Sequence, residues 1–255
     1  MDDAVAPHEL LAFTIAGLLN GIDSVAVGAS SPIPGSGTLL AQHLAQQEGR
    51  PMRVSILGSR AHNSFTNGGV EIFDMAAQGR IGAFFLGGGQ IDGQANINLV
   101  GVGDYPQHDV RWPGSFGSAY LYHLVPRVIL FREEHSRRVL VPRVSFVSAA
   151  GPDPAATHYR PGGPHCLLTN RCLFTFDKAR QRFTLSRLHP GHSLEEIKDE
   201  TGFDFGLAPD LQESEAPDPT TLQLLRTTIH EQIAETYPRF ANTVAARASL
   251  GADEH

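Results

Sequence analysis

Three residues without side chains, Gly87, Gly88 and Gly89, are the first candidates for chemistry in this sequence. They end the apolar run Ile81–Leu86, which reads as a buried strand. Consecutive glycines let the backbone turn sharply and aim its N–H groups into one concavity, an arrangement suited to a developing oxyanion or a phosphate. The same triplet would also serve as a tight corner between strands, and by itself it leaves both readings open. Its surroundings favour a site. Nine of the chain's 26 glycines fall between Gly82 and Gly117. Asn96 and Asn98 stand two apart, on the same side of any strand that carries them, and the turn Pro113-Gly114-Ser115-Phe116-Gly117 follows the only tryptophan, Trp112. Asp92, Asp104 and Tyr105 read as residues that brace these loops.

The elements that would position this stretch alternate between strand and helix. Helical periodicity runs from His8 to Asn20, closed by Gly21, and a short strand follows at Ser24–Val27. A small-residue loop, Gly28–Pro32, leads to a helix over Gly37–Gln47. The intervening Pro34-Gly35-Ser36-Gly37 reads as a turn that lacks the GK[ST] ending of a phosphate loop. The next strand covers Arg53–Leu57, a helix covers Val70–Gln78, and then comes the glycine turn. Three strand–helix repeats predict parallel strands whose ligands lie beyond their carboxyl ends. The loops after Val27, Leu57 and Leu86 should then converge, with Ser30, Ser59 and Gly87–Gly89 around one site. Further on, a helix is expected at Ser118–Leu124, and strands at Arg127–Phe131 and, broken by Pro142, at Val139–Ser148. Cys166–Phe176 and Arg182–Leu188 should form a hairpin. Ser193-Leu194-Glu195-Glu196 is a capping box opening a short helix, Pro209–Pro219 an acidic linker, and Thr220–Glu235 the C-terminal helix. The expectation is an α/β fold with an open, mainly parallel sheet flanked by helices and additional antiparallel hairpins. It forms one domain over residues 1–240, with a frayed tail at 241–255.

Composition narrows the function classes. A net charge of −7 over 255 residues argues against a nucleic-acid or anionic-membrane partner. The N-terminus carries acidic residues where a secretory signal would be basic, and no apolar run reaches the roughly 18 residues of a membrane span, so a cytoplasmic protein is expected. Cys166 and Cys172 match neither a zinc knuckle nor a redox pair and read as buried thiols, and the twelve histidines show no metal-ligand spacing.

Four stretches in order carry a resemblance to a known family: LGGGQIDGQANINLVGVGDY with VRWPGSFG, then RRVLVPRVSFVSAAG, then LHPGHSLEEIKDETGFDF, and TTLQLLRTTI behind it. Between Glu9 and Ile229 the chain resembles the β subunit of a family I CoA-transferase of the glutaconate type. The resemblance implies an α subunit partner in an αβ or α2β2 assembly, with a coenzyme A thioester as substrate and no tightly bound cofactor. It implies a β-subunit glutamate that attacks the thioester, and backbone amides matching Gly87–Gly89 that hold the oxyanion. Ser30, Ser31, Gln90, Asn96, Asn98, Gly114, Ser115 and Phe116 are the candidates for holding substrate, with Asn96 and Asn98 expected either to orient the acyl chain or to support the loop.

The sequence departs from that pattern at the nucleophile. Ile56 matches the glutamate's position, and no carboxylate occurs from Met52 to Val70. An isoleucine cannot form an acyl anhydride. Ser59, Arg60 and His62 on that loop, or a residue of the α subunit, remain as acid–base candidates, and Glu71 or Glu48 would stand in as the nucleophile should the match be offset. The resemblance extends to relatives that decarboxylate an unsaturated acyl-CoA or hydrolyse a carbon–carbon bond in a ring-bearing one, reactions that need a polarised carbonyl but no acyl-enzyme. Such a reaction is the first expectation. A transferase using another carboxylate is the second, and a non-catalytic partner that binds coenzyme A is the third.

Overall fold

The computed structural model describes residues 4–66, 68–153, 155 and 159–252. The chain divides into two compact units: residues up to Thr66 together with those from Glu215 onward, and the residues between.

The first unit opens with α1 (Pro7–Leu18), whose Leu10, Leu11 and Ile15 are buried. Glu9 reaches back to accept from the Ala6 amide at 2.8 Å, satisfying one of the donors a helix start leaves free. Strands β1 (Ser24–Val27) and β2 (Arg53–Ile56) pair in parallel, Val27 opposite Ile56, with α2 (Pro32–Gln47) between them in sequence. The helix begins five residues before the expected Gly37. Pro32 fits its first turn because that position has no N–H to satisfy, and Pro34–Gly37 is helical rather than a turn. The glycines there serve close packing: a Cβ on Gly37 would lie 2.6 Å from Ile15 Cβ, and one on Gly35 2.8 Å from Ile233 Cδ1.

The second unit carries α3 (Gly68–Ala77) and β3 (Ala83–Leu86), then two small antiparallel ribbons. These pair β4 (Gln90–Ile91) with β5 (Ile97–Asn98), and β6 (Gly101–Val102) with β7 (Val110–Arg111). After α4 (Ser118–Leu124), at its expected bounds, the main strands are β8 (Arg127–Arg132), β9 (Pro164–Thr169), β10 (Cys172–Asp177) and β11 (Arg182–Leu188). They are followed by α5 (Leu194–Glu200) and β12 (Gly206–Glu213). Within the unit β3, β8 and β9 run parallel, β10 and β11 return antiparallel, and β12 lies parallel to β11. Ser193 caps α5 by accepting from the Glu196 amide, as its sequence predicts.

Three expectations here are corrected. Cys166–Phe176 is two strands, because the Thr169 hydroxyl accepts from the Arg171 and Cys172 amides, each at 3.2 Å, and folds a tight turn between them. Val139–Ser148 forms no strand and makes a single bridge at Leu140, with another just beyond it at Ala149. Pro142 offers no N–H, and Gln90 and Asp92 accept from the Ser145 and Val144 amides at 2.9 and 3.4 Å in place of a ladder. The Pro209–Pro219 segment is not all linker, since its first half belongs to β12, the outermost strand of the order, where a proline such as Pro209 is tolerated.

The chain then returns to the first unit. Asp218 caps α6 (Pro219–Leu224), a π-turn covers Leu225–Ile229, and α7 (His230–Thr236) continues the same rod. The region expected to fray is instead α8 (Pro238–Ala252), anchored where Ala241 is buried and its carbonyl accepts from His230 Nε2 at 3.1 Å. Residues 253–255 lie outside the described residues. No helix among the described residues is long and apolar enough to cross a membrane.

Candidate functional site

The glycine turn leaves β3 and enters β4, and packing dictates each of its glycines. A Cβ on Gly87 would approach the Phe131 carbonyl to 3.2 Å, and one on Gly88 the Gln90 carbonyl to 2.8 Å. One on Gly89 would lie 2.6 Å from Trp112 Cε3 and closer still to two other atoms of that ring. The turn therefore lies flat against its surroundings. The Gly89 amide donates to the Asn98 carbonyl at 2.9 Å and is occupied, whereas the Gly87 and Gly88 amides have no acceptor among the described residues. Of the three amides in the expected cradle, that of Gly89 is thus already taken.

Beneath the turn lies a closed polar network. Asn98 is fully buried; its Nδ2 donates to Gln90 Oε1 at 2.8 Å and to the Gly101 carbonyl at 2.7 Å, and its Oδ1 accepts from the Val100 amide at 2.9 Å. Asn96 donates to both Asp92 oxygens and accepts from the Gly151 amide at 2.9 Å. Asp92 Oδ1 also accepts from the Gln94 and Asn96 amides, which holds Ala95 at φ 61°. Tyr122, fully buried, donates to the Ala95 carbonyl at 2.7 Å, and burial raises its pKa well above the ordinary value, with the Asp92 charge adding to the effect. Gln90 and Asn98 therefore bond to each other and to nearby backbone, and Asn96 bonds to Asp92 and the Gly151 amide.

Of the Gly114–Phe116 candidates, Gly114 packs against Leu99, and Ser115 (φ 87°) offers its carbonyl to the start of α4. Phe116 stands 84% exposed, its ring centroid 5.7 Å from that of Phe73.

The remaining candidates belong to the first unit. Because β1 and β2 are parallel neighbours, the loops that follow them start side by side, and the Leu57 amide donates to the Val27 carbonyl at 3.0 Å. Ile56 is fully buried at the end of β2. Ser59 is buried as well; its Oγ donates to Glu235 Oε2 at 2.8 Å and accepts from the His62 amide at 2.9 Å. The Arg60 amide donates to Glu235 Oε1 at 2.9 Å, while Arg60 is exposed and His62 half-buried. On the β1 side Ser30 is exposed, and the Ser31 amide donates to the Tyr237 hydroxyl at 3.4 Å, which itself donates to the Gly28 carbonyl at 3.1 Å. Glu48 lies at the other end of α2, paired with Arg50, and Glu71 lies in the first turn of α3.

Glu235 and Tyr237 are the residues that sequence reasoning missed. They are separated from Ser59 and Gly28 by 176 and 209 residues, respectively, and no local pattern marks them. The Thr236 hydroxyl, the Arg60 amide and the Ser59 hydroxyl, in that order, hold the Glu235 carboxyl below the usual range. Among the described residues no group of three or more His, Cys, Asp or Glu side chains is placed to hold a metal ion.

A mainly parallel sheet flanked by helices and small antiparallel ribbons, with a glycine turn at a strand's carboxyl end, defines an α/β protein of coenzyme A transferase fold. The coenzyme A transferase family model matches residues 34–200, and the chain belongs to that family. It is 29% identical over 221 residues to the β subunit of 3-oxoadipate CoA-transferase of Pseudomonas knackmussii, covering 84% of this chain and 81% of the relative. The β subunit of glutaconate CoA-transferase of Acidaminococcus fermentans is 30% identical over 56% of this chain and 54% of its own length. The cholesterol ring-cleaving hydrolase IpdB subunit of Rhodococcus jostii is 28% identical over 61% and 62%. Among solved structures the decarboxylase AibA/AibB superposes with a TM-score of 0.72 at 22% identity, over 88% of this chain and 94% of the other, a likeness of fold.

Proposed function

We propose that this chain is the β-type subunit of a heteromeric acyl-CoA enzyme, assembled with an α-type partner as αβ or α2β2. Its Gly87–Gly88 turn polarises the thioester carbonyl of a carboxylated or ring-bearing acyl-CoA, and the reaction is a decarboxylation or carbon–carbon hydrolysis without a glutamyl intermediate. One observation carries this reading: two amides without an acceptor at the end of β3, in a chain whose counterpart to the expected glutamate is the buried Ile56. In decarboxylation the electron pair of the bond to the departing CO2 passes into the conjugated thioester and gathers on its oxygen. In hydrolytic carbon–carbon cleavage water adds to a ketone, and the departing carbon leaves as the same kind of enolate. Two N–H donors aimed at that oxygen lower either barrier, and neither path needs an acyl-enzyme. The relatives named as a decarboxylase and a ring-cleaving hydrolase support this choice.

The exposed Glu235 is the one observation favouring the rival, a transferase that works through a carboxylate elsewhere in the chain. Against it, three donors already hold that carboxylate, and its lowered pKa makes it a weaker nucleophile.

Gly88→Val tests the reading. A side chain there meets the Gln90 carbonyl at 2.8 Å, so the turn must move and its donors lose their aim. Loss of an oxyanion donor costs on the order of 10² to 10³ in turnover. Normal turnover by an intact complex would assign this chain a non-catalytic role. Recovery of a hydroxylamine-labelled glutamate from the complex incubated with acyl-CoA would assign it to the transferases.

A further inference from the structure

The turn Ile233–Tyr237 bonds to both the loop after β1 and the loop after β2. Tyr237 bridges the Gly28 carbonyl and the Ser31 amide on the β1 side. Glu235 takes the Ser59 hydroxyl on one oxygen and the Arg60 amide on the other. Between them Ile233 is buried against α2, where Gly35 leaves room for its Cδ1, and a Cβ on Gly35 would also lie 3.7 Å from Ile56 Cδ1. Five consecutive residues thus hold two loops that precede them by 175 to 209 residues, and they lie beyond residue 200, where the family match ends.

We propose that this turn is a clasp, and that Glu235 and Tyr237 are positioning residues that fix the two loops in the arrangement that meets the coenzyme A thioester. The inference rests on the acyl-CoA reading above. Each clasp residue serves a different loop through different chemistry. The Glu235 carboxylate has two acceptor oxygens for two donors of the β2 loop, so it sets Arg60 and His62 at its rim. The Tyr237 hydroxyl donates and accepts through one oxygen, bridging a carbonyl and an amide, and it sets Ser30 and Ser31. Thr236 adds a further donor, at 2.7 Å, that keeps Glu235 Oε2 in place. Neither residue forms a bond to substrate in this role. A loop that populates its binding-competent form only part of the time weakens its ligand by that fraction, so loosening either loop weakens coenzyme A.

The test uses the complex with its partner subunit, amide hydrogen exchange, and coenzyme A as the probe. Glu235→Ala should speed exchange at residues 58–62 by about ten-fold while leaving 28–31 unchanged, and Tyr237→Phe should do the reverse. Glu235→Gln, which keeps one acceptor oxygen, should fall between wild type and Glu235→Ala. Each loosened loop should weaken coenzyme A binding by the factor by which its closed fraction falls. Unchanged exchange at these loops, or acceleration spread evenly over the whole unit, would overturn the clasp. A closed fraction that falls with coenzyme A affinity unchanged would overturn its positioning role. Failure of the wild-type complex to bind coenzyme A would instead overturn the acyl-CoA reading, with the exchange data still judging the clasp.

Discussion

Substituting Gly89→Ala puts the packing of the glycine turn to a direct test, because the neighbour it disturbs is also the chain's only tryptophan. The new methyl carbon would sit 2.6 Å from Trp112 Cε3 and nearer to two further ring atoms, whereas carbons in contact rest at about 3.5 to 4.0 Å. Relief requires a shift of about 1 Å or more, and an indole is rigid. The Trp112 backbone is itself tied, its amide donating to the Val100 carbonyl at 2.9 Å. Overpacking of this kind costs about 1 to 3 kcal/mol, or roughly 2 to 12 °C in melting temperature for a chain of this size. Two readouts should move together. The urea midpoint followed by circular dichroism should fall, and the native tryptophan emission should shift as the half-buried ring is pushed away. An alanine variant with unchanged emission and midpoint would refute the close seating of Trp112 on the turn.

Two further predictions concern the interior of the second unit. His135 and His189 are both buried, His135 between the Thr169 and Thr201 hydroxyls at 2.9 and 3.0 Å, and burial lowers the pKa of each from 6.5 to about 4. The unfolded chain therefore binds more protons between those values, so stability is complete above pH 6.5 and falls as pH drops towards 4. At pH 5 the loss is about 2 kcal/mol per histidine, and a urea midpoint that holds constant from pH 7.5 to 5 would contradict the buried neutral state. Cys166 and Cys172 are buried free thiols whose pKa values burial pushes up to about 12. Native protein should leave both unmodified by iodoacetamide at neutral pH while urea exposes both, and rapid labelling of the native chain would refute this burial.

How much of this was legible in the sequence depends on the distance over which each feature is decided. The extents of β1, β2 and α4 follow from local periodicity, and the structure keeps them within a residue of expectation. The start of α2 was illegible because Pro32–Gly37 looks like a turn until one knows that Ile15 and Ile233 press against its glycines. The split between β9 and β10 turned on the single Thr169 hydroxyl, and β12 on a strand partner about twenty residues away. The glycine turn was found because everything that makes it a turn is written within it. Of the two roles expected of Asn96 and Asn98, orienting an acyl chain or supporting the loop, their hydrogen bonds serve the second. Asn96 and Asn98 look like ligands in a glycine-rich loop, but such a loop has backbone groups to satisfy, and the nearest amides and carbonyls claimed these side chains first.

That inward commitment bears on where selectivity must come from under the proposed function. A turn offering only the Gly87 and Gly88 amides can stabilise charge on any thioester oxygen, and it has no means of telling one acyl group from another. Rejection of a wrong substrate by a large factor needs polar groups that go unpaired when that substrate binds. Gln90, Asn96 and Asn98 cannot supply this, since each already has its partners within the second unit. Ser59 is likewise occupied, with Glu235 and the His62 amide as its partners. On this chain the candidates whose side chains still face outward are Ser30, Arg60, His62 and Phe116. The first three stand on the very loops that Glu235 and Tyr237 hold. Polarisation and selectivity should then separate by mutation. Gly88→Val should lower turnover on every acyl-CoA alike. Arg60→Ala should change the ranking of carboxylated over uncharged acyl-CoA substrates, because a guanidinium discriminates between them by charge and the backbone amides do not.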